Sequence, residues 1–354
     1  MRKYYIDNLR WISILMLIPY HTCMIYNNWN ENFYVKSYGI SVLSGFIQIC
    51  APWFMPLLFV MAGISSCYAL NRRTPKQYIK ERVCKLFVPL ISGILLLVPI
   101  QTFYAEKFHN GYNSGYFYQY ILFFTKKTDL TGVTGGFTPA QLWFILYLFI
   151  ISLLALPIII KYKNSSIKIP INKLSVFKML PMFLIFSVMS FILNIGGKSL
   201  GEYFALFMLG YLILSEDKIQ ERLDESKWYL FAGFLVLTIL NIFLQNAWHL
   251  NFEIGYYIFY KFLSWIGILS FIGMGKQYLD FDNKVTHYFA KASFSIYIFH
   301  QSFIVFTAYY ILKITASIFL QVIFIIWGSF LLTIITYELF KRISITRFLF
   351  GIKK

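Results

Sequence analysis

The chain has 354 residues, of which 58% are hydrophobic and only 13% charged, and its mean hydropathy is +0.63. A soluble protein of this length needs far less apolar surface for its core, so the composition excludes a soluble globular protein and predicts a polytopic membrane protein. The formal net charge of +17 would suggest nucleic acid in a soluble chain, but basic cytosolic loops are expected of any inner-membrane protein, so no nucleic-acid partner is predicted.

Ten apolar segments predict an all-α, polytopic integral membrane protein with about ten transmembrane helices. In chain order, the predicted spans are about 9–27, 41–68, 86–105, 140–160, 179–196, 200–214, 228–245, 254–275, 292–312 and 316–338. The first span carries Asp7 and Arg10 at its start and lacks a small-residue cleavage site, so we expect it to stay in the membrane. Because only a short basic tail follows the last span, the chain 1–354 is interpreted as a single transmembrane domain with no soluble appended domain.

Basic residues are distributed unevenly among the loops between these spans. Most of the 32 Lys and Arg residues fall in the loops that share one side of the membrane with the N-terminus. The positive-inside rule therefore predicts that both termini are cytosolic, in a multi-pass protein of the bacterial cytoplasmic membrane. The four cysteines form no C-x-x-C pair, so we expect neither a metal site nor a disulfide framework.

The first span places two ionisable residues, Arg10 and His21, on one helix face. Eleven positions separate them, which on an α-helix corresponds to three turns plus roughly 20° and a rise of about 16 Å. Arg10 would then lie at the cytosolic surface and His21 near the middle of the bilayer, where an ionisable side chain is costly and usually faces a bundle interior or an aqueous cavity. The alternative is an anchoring charge together with a histidine that is hydrogen-bonded for packing.

A second histidine, His300, lies at a similar predicted depth in the ninth span. It follows the cytosolic Lys291 by nine residues, or about 14 Å along a helix. Two histidines at matched depth predict one shared site, because each would otherwise need its own buried partner. The alternative, that neighbouring hydroxyls or carbonyls satisfy each ring separately, stays open.

The cytosolic loop before the third span contains a cluster of cations. Arg72 and Arg73 begin it, and Arg82 and Lys85 lie three positions apart, so they share a helix face at the start of the span. Arginine offers a planar fork and lysine a point charge, and the cluster could therefore grip a phosphate group. Anionic lipid head groups are an equally natural partner for such a loop.

Surface cations and a mid-membrane histidine suggest a long cofactor that bridges the two. Acyl-coenzyme A carries phosphates at one end and a thin pantetheine arm, which spans roughly the predicted distance from Arg10 to His21. A neutral histidine could then act as general base on an acceptor hydroxyl that approaches from the outer side. Trp143 enters the fourth span from that side, and we expect it to line the acceptor pocket.

Four motifs resemble those of the membrane acyltransferase 3 family, particularly its glucan-succinylating branch (glucan biosynthesis protein C). They are Arg10-x10-His21 in the first span, L-F-V-M-A-G at 58–63, Arg82-x-x-Lys85 before Pro89, and S-F-S-I-Y-I-F-H at 293–300. The resemblance covers essentially the whole chain. The departures from the family pattern are Ala62 in place of a usual serine, Lys85 in place of an arginine, and Gln141 where many members have histidine.

The resemblance implies roles for individual residues. It implies that His21 is catalytic and that His300 has a role in the site. It implies acyl-coenzyme A, carrying acetyl or succinyl, as co-substrate, with a phosphate contact at Arg10 and further contacts at Arg82 and Lys85. The cation cluster of the loop adds Arg72 and Arg73 as predicted phosphate contacts. The residues expected to bind the acceptor are Trp143, Gln141 and Tyr297, the last from the late motif.

We therefore predict a membrane-bound O-acyltransferase that moves an acetyl or succinyl group from cytosolic acyl-coenzyme A to a hydroxyl of an extracytoplasmic glycan or glycolipid. Direct transfer and transfer through an acyl-histidine both stay open, as does assembly into a homo-oligomer. An alternative is a transporter or flippase of a glycan or lipid-linked precursor, which would use the same basic face, although the chain lacks the half-to-half similarity common in transporters. A third hypothesis is a non-catalytic subunit of a cell-envelope complex.

Overall fold

The computed structural model describes residues 3–29, 31–247 and 253–352, apart from the side chains of 246 and 247. The helices of these ranges are α1 (Tyr4–Leu15), α2 (Leu17–Met24), α3 (Ser41–Cys50), α4 (Phe54–Leu70), α5 (Pro75–Arg82), α6 (Val88–Leu96), α7 (Val98–His109), α8 (Tyr116–Thr125), α9 (Trp143–Asn164), α10 (Val176–Met179), α11 (Phe183–Met189), α12 (Leu200–Leu209), α13 (Asp217–Glu225), α14 (Lys227–Ala247), α15 (Glu253–Tyr278), α16 (Lys284–Ile314), α17 (Ile318–Phe340) and α18 (Ser344–Leu349). Short 3₁₀ turns occupy Ala140–Leu142, Ile171–Lys173 and Leu180–Met182, and π-helical turns occupy Val83–Phe87 and Gly210–Leu214.

The two strands described, β1 (Asn194–Ile195) and β2 (Lys198–Ser199), form a small antiparallel hairpin in which Asn194 lies opposite Ser199. Gly196 and Gly197 make its two-residue turn with φ angles of +58° and +75°. A turn with positive φ at both central positions favours glycine, which explains why this pair stands there.

Seven helical stretches within the described ranges are long and apolar enough to cross a membrane. They are Ser41–Leu70, Pro75–His109, Ala140–Asn164, Lys227–Gln245, Glu253–Tyr278, Lys284–Ile314 and Ile318–Phe340, and two shorter apolar helical stretches cover Val176–Met189 and Leu200–Leu214. The prediction of an all-α, multi-pass membrane fold is confirmed at this level. The number of ten spans and the cytosolic placement of both termini stay predictions.

The chain forms two compact units that alternate along the sequence. Unit 1 contains the residues up to Ser13, Gln48–Arg82 and Tyr147–His287, and unit 2 contains Ile14–Ile47, Val83–Leu146 and the residues from Tyr288 onward. Each unit has its own set of packed helices. The interpretation of the chain as one domain stays a prediction.

Unit 1 is built on helices that approach one another at glycines. In it α14 packs along α15, α13 packs on α15, and α12 packs on α4. A Cβ atom on Gly63 of α4 would overlap the backbone carbonyl of Phe207, and one on Gly210 would overlap the carbonyl of Val60. Small residues at a helix crossing let two backbones come into contact, which supplies dispersion energy where lipid offers no hydrophobic drive.

Gly63→Ala is expected to lower the free energy of unfolding by about 1–3 kcal/mol, because the added methyl group meets backbone atoms of α12. The helix preference of alanine over glycine, roughly 1 kcal/mol, acts in the opposite direction. Gly233→Ala in α14 is a matched control, since the atom nearest to its Cβ would be Ile266 Cγ2 at 3.8 Å. Equilibrium unfolding in mixed detergent micelles measures both variants, and equal stability of the two would contradict the prediction.

Unit 2 contains the C-terminal part of the first apolar segment. Within it α2 packs on α17, and the hydroxyl of Tyr26 donates a 3.0 Å hydrogen bond to Gln321 Oε1. A Cβ atom on Gly93 of α6 would meet the side chain of Leu142, so α6 lies close to the start of α9. The packing on α17 holds α2, the helix that carries His21.

The first apolar segment was predicted as one continuous helix, and that prediction is wrong at Met16. The structure ends α1 at Leu15 and begins α2 at Leu17. Pro19 supplies the physical reason, because it has no N–H to donate to the carbonyl of Leu15 four positions earlier. Met16 itself keeps right-handed helical dihedral angles, with φ −62° and ψ −18°, so the break is confined to one residue.

Candidate functional site

His21 of α2 and His300 of α16 lie side by side in unit 2. Their ring centroids are 5.3 Å apart and their planes are inclined by 32°. The His300 side chain is fully buried, whereas His21 is half-buried. At this separation, one nitrogen of each ring could reach the same hydroxyl group, since a hydrogen bond to nitrogen needs about 3 Å between heavy atoms.

Backbone carbonyls determine the tautomer of His300. Its Nδ1 lies 2.7 Å from the carbonyl oxygen of Tyr297 and 3.2 Å from that of Ile296. Because a carbonyl oxygen only accepts, Nδ1 must carry the hydrogen and donate it. In the neutral ring Nε2 then bears the lone pair, and this buried atom has no hydrogen-bond partner among the described residues. The arrangement leaves an acceptor beside His21.

Aromatic rings surround His21 on its other sides. The ring of Phe33 lies nearly parallel to it, with centroids 6.1 Å apart and planes 14° apart. The ring of Tyr20 meets it edge-on at 5.4 Å. His21 therefore has the rings of His300, Phe33 and Tyr20 as neighbours.

A buried polar network holds the helices next to His300. Gln101 of α7 is fully buried and donates from Nε2 to Gln141 Oε1 at 3.0 Å and to the Ser302 hydroxyl at 2.9 Å. Ser302 in turn donates to the carbonyl of Leu97, the residue between α6 and α7. Gln141 donates from Nε2 to the carbonyl of Ile298 at 3.0 Å. Gln101 Oε1 is buried and has no hydrogen-bond partner among the described residues, while the bonds of the amide nitrogens hold α7, Gln141 and α16 to one another in a low-dielectric interior.

The three residues predicted to bind the acceptor all lie in unit 2, and two of them bond to one another. The Tyr297 hydroxyl donates to the backbone carbonyl of Gln141, and the Tyr297 ring lies 6.0 Å from that of His300. Both ends of the Gln141 side-chain amide bond to the protein. Trp143 is half-buried at the start of α9, where its ring lies edge-on to that of Phe144. Their role in acceptor binding stays a prediction.

Among the residues predicted to contact the phosphates of the acyl donor, Arg82 is held in place by neighbouring side chains. It lies in unit 1, where its guanidinium covers the Tyr78 ring at 4.4 Å and donates to the Ser66 hydroxyl at 3.3 Å. Tyr78 also donates to Ser66, at 3.0 Å. The Nε–H of Arg82 is buried and has no hydrogen-bond partner among the described residues. Arg82 is thus held in place while keeping donors for an anion.

Two other residues predicted to contact the donor phosphates, Arg10 and Arg73, form ion pairs with acidic side chains. Arg10 forms an ion pair with Asp7 one turn earlier in α1, and Arg73 pairs with Glu81 at 2.7 Å. Such partly exposed pairs are worth about 0–1 kcal/mol, so a phosphate could displace either carboxylate. Arg72 is exposed at the end of α4.

Lys85 lies in the π-helical turn Val83–Phe87, which belongs to unit 2. The sequence prediction assumed an α-helix through Arg82 and Lys85, so that three positions would bring both onto one face. That assumption is wrong at this turn, because a π-helix bonds i to i+5. Single π-helical turns occur frequently at functional sites. The role of Lys85 in binding the donor phosphates stays a prediction.

Sequence reasoning missed Gln101, Phe33 and the partner of His109. Gln101 is a polar residue inside an apolar span, and this signal could have identified it. Phe33 lies in a loop where nothing in the sequence pattern indicates contact with His21. His109, the last residue of α7, donates from Nε2 to the Phe33 carbonyl at 2.8 Å.

Comparisons with known proteins agree with the motifs. A family model described as an acyltransferase domain matches residues 3–338. Among curated proteins, the chain is similar to the glucans biosynthesis protein C of Salmonella schwarzengrund (strain CVM19633), Salmonella agona (strain SL483) and Salmonella heidelberg (strain SL476). Each is 26% identical over 383 aligned positions, which cover 99% of this chain and 94% of the relative. No solved structure matches the chain significantly.

Proposed function

Because the chain belongs to the acyltransferase 3 family and is a membrane acyltransferase, we propose that it transfers an acetyl or succinyl group from cytosolic acyl-coenzyme A to a hydroxyl of an extracytoplasmic glycan or glycolipid. The bacterial cytoplasmic membrane is its proposed location. The observation that carries the proposal is the contact between the His21 and His300 rings. The name of the relatives, glucans biosynthesis protein C, supports a glucan as acceptor.

His21 is the general base in this proposal. It takes the proton of the acceptor hydroxyl while the hydroxyl oxygen bonds to the acyl carbon, the carbon–sulfur bond breaks, and the departing coenzyme A thiolate receives a proton. The half-buried position of His21 lets a hydroxyl approach, and a neutral imidazole suits a base that works near neutral pH.

His300 is a positioning residue for that base. Its Nδ1–H is committed to backbone carbonyls, so its Nε2 can accept a hydrogen bond from the His21 ring or from the acceptor hydroxyl. Accepting from His21 would fix the tautomer of that ring and leave its other nitrogen as the proton acceptor. The Gln101 and Gln141 network supports this function because it holds α16 at the register that presents His300.

The donor phosphates are proposed to bind at Arg82, and the other predicted cations stay predicted contacts. Arg82 fits a polyanion because its guanidinium is already ordered by Tyr78 and Ser66 and its buried Nε–H lacks a partner among the described residues. An ordered guanidinium loses little conformational entropy when it binds, so most of each charge-assisted hydrogen bond contributes to affinity.

Arg82→Gln is expected to raise the KM for the acyl donor about 10- to 100-fold, because charge-assisted hydrogen bonds contribute about 1.5–3 kcal/mol each. The matched control is Lys80→Gln, which removes an exposed cation from the same helix. The assay uses full-length protein in proteoliposomes, labelled acetyl- or succinyl-coenzyme A on the side of the basic loops, and glucan oligosaccharides on the other side. Equal KM values for the two variants would argue against a donor site at Arg82.

The same proteoliposomes distinguish enzyme from transporter. The proposal expects labelled ester on the glucan only when both donor and acceptor are present. Movement of unmodified glucan across the membrane without any acyl donor, and without ester formation in its presence, would replace the proposal by the transporter hypothesis.

A further inference from the structure

The loop between α2 and α3 folds back onto the histidine pair within unit 2. Three of its residues, Phe33, Tyr34 and Val35, are 7%, 5% and 0% exposed, respectively, although they belong to no helix. Among them, Phe33 places its ring nearly parallel to that of His21. A loop that buries three consecutive large side chains must gain enough from these contacts to offset the entropy of ordering it.

Specific hydrogen bonds hold this loop in its fold. Asn27 is 1% exposed and donates from Nδ2 to the carbonyls of Met24 and Glu31, at 2.8 and 2.9 Å. It also accepts from the Glu31 N–H at 3.1 Å, so one side chain closes the turn that leads to Phe33. Further along, the N–H of Ser37 donates to the carbonyl of Ile25 at 2.8 Å. Both arms of the loop are therefore tied to the end of α2.

A second contact fixes Phe33 itself. His109, the last residue of α7, donates from Nε2 to the Phe33 carbonyl at 2.8 Å. The hydroxyl of Tyr34 lies beside Gly132, where an added Cβ would be 3.1 Å away. Two segments outside the loop thus clamp it on either side of the Phe33 peptide. These contacts hold the Phe33 ring beside His21.

We infer that Phe33 shields His21 from water and so decides whether the acyl group goes to the acceptor hydroxyl or to water. This inference rests on the proposed function. A base that activates a hydroxyl also activates water: the water oxygen bonds to the acyl carbon, the carbon–sulfur bond breaks, and the products are a free carboxylic acid and the coenzyme A thiol. An apolar ring against the base offers water no hydrogen-bond partner, and exclusion of water is how active sites prevent such hydrolysis.

The acceptor must then reach His21 past or beside the Phe33 ring. An aromatic ring also packs well against the apolar face of a sugar, so a glycan could use Phe33 as a wall of its own site. Substitutions at Phe33 can separate the effect of its apolar bulk from the effect of its aromatic ring. Leucine preserves most of the apolar bulk without the ring face, whereas alanine leaves a gap bordered by a polar imidazole that water can enter.

Phe33→Ala is expected to raise the ratio of donor hydrolysis to acyl transfer about 10-fold, because water gains access to the His21 ring. Phe33→Leu should keep the ratio near that of the wild type. Free acid and esterified glucan are counted in the same proteoliposome assay, with and without glucan. An unchanged ratio in Phe33→Ala, or an equally raised ratio in Phe33→Leu, would overturn the inference.

His109→Ala provides an independent variant in case Phe33→Ala fails to fold. It removes the donor to the Phe33 carbonyl and leaves the ring in place, so the ratio should rise in the same direction by a smaller factor. A His109→Ala ratio equal to that of the wild type would also overturn the inference. Failure of the proposed function looks different, because the wild type itself would then form neither ester nor free acid above the background without protein.

Discussion

Replacing His21 by alanine is expected to lower the rate of acyl transfer by about 10²- to 10⁴-fold, the usual contribution of a positioned general base. The donor KM should stay within a few-fold of the wild-type value, because the donor phosphates are proposed to bind at Arg82. Initial rates of ester formation over a range of donor concentrations separate the two parameters. His287→Ala is the matched control, since this histidine is exposed in unit 1 and should leave both parameters unchanged.

His300 gives a sharper test, because its proposed function is to accept a hydrogen bond rather than a proton. His300→Ala should lower the rate by a factor similar to that of His21→Ala. A glutamine at either position keeps a hydrogen-bonding amide but cannot act as a base at neutral pH. We therefore expect His300→Gln to recover part of the activity and His21→Gln to recover none. Recovery at position 21 but not at 300 would exchange the two roles.

The double variant tests whether the two rings act as one unit. Groups that cooperate in one step show strongly non-additive losses, so His21→Ala combined with His300→Ala should cost about as much as His21→Ala alone. Independent sites would instead multiply their losses. A multiplied loss would remove the basis for the shared site, even though the rings lie 5.3 Å apart.

The proximity of His21 and His300 could be predicted from the sequence, whereas the predicted spacing of Arg10 and His21 assumed a helix without a break. Matched depth needs only the 1.5 Å rise per residue and the positions of flanking charges. The Arg10 to His21 distance needs an unbroken helix, and Pro19 interrupts it at Met16. Pro19 lies within the first apolar segment, so the sequence itself indicates this break.

The contacts of the loop between α2 and α3 could not be predicted from the sequence, for a different reason. Helical periodicity tells which face a residue shares, but nothing in it says where a loop returns. Phe33 therefore could not be placed beside His21, and the hydrogen bond from His109 to the Phe33 carbonyl could not be predicted. Buried polar residues are intermediate cases, because Gln101 stood out as polar within an apolar span while its partners depended on tertiary packing.

The ion-pair partner of Glu202 could not be predicted from the sequence either. Its position near the start of the sixth predicted span does not indicate whether its carboxylate is solvated or buried. In unit 1 its carboxylate pairs with Lys261 Nζ, and their side chains are only 11% and 12% exposed. Lys261 also lies 5.3 Å from the centre of the Tyr257 ring. A lysine inside an apolar helix needs such a partner, but the sequence does not say which acid supplies it.

Lys261→Met is expected to lower the free energy of unfolding by about 3–5 kcal/mol, because it leaves the buried Glu202 carboxylate without its counter-charge. The position of Glu202 in the first turn of α12 moderates the loss, since the helix dipole favours a negative charge there by about 0.3–1 kcal/mol. We therefore expect a value near the lower end of the range, measured by equilibrium unfolding in mixed detergent micelles.

The chain contains a matched control that differs mainly in burial. Lys341 pairs with Glu338 and lies 5.5 Å from the centre of the Tyr337 ring, but the side chains of this pair are 43% and 35% exposed. Lys341→Met should cost no more than about 1 kcal/mol, because exposed ion pairs are screened by solvent. Similar losses for Lys261→Met and Lys341→Met would show that burial does not set the strength of the Glu202 pair.

A compensating substitution separates the lost charge from the lost packing. Lys261→Met combined with Glu202→Gln removes both charges, so the uncompensated carboxylate no longer has to be buried. The double variant should regain most of the stability that Lys261→Met loses. If it is as unstable as the single variant, the loss comes from packing of the lysine stem against Tyr257 and its neighbours, and the ion pair contributes little.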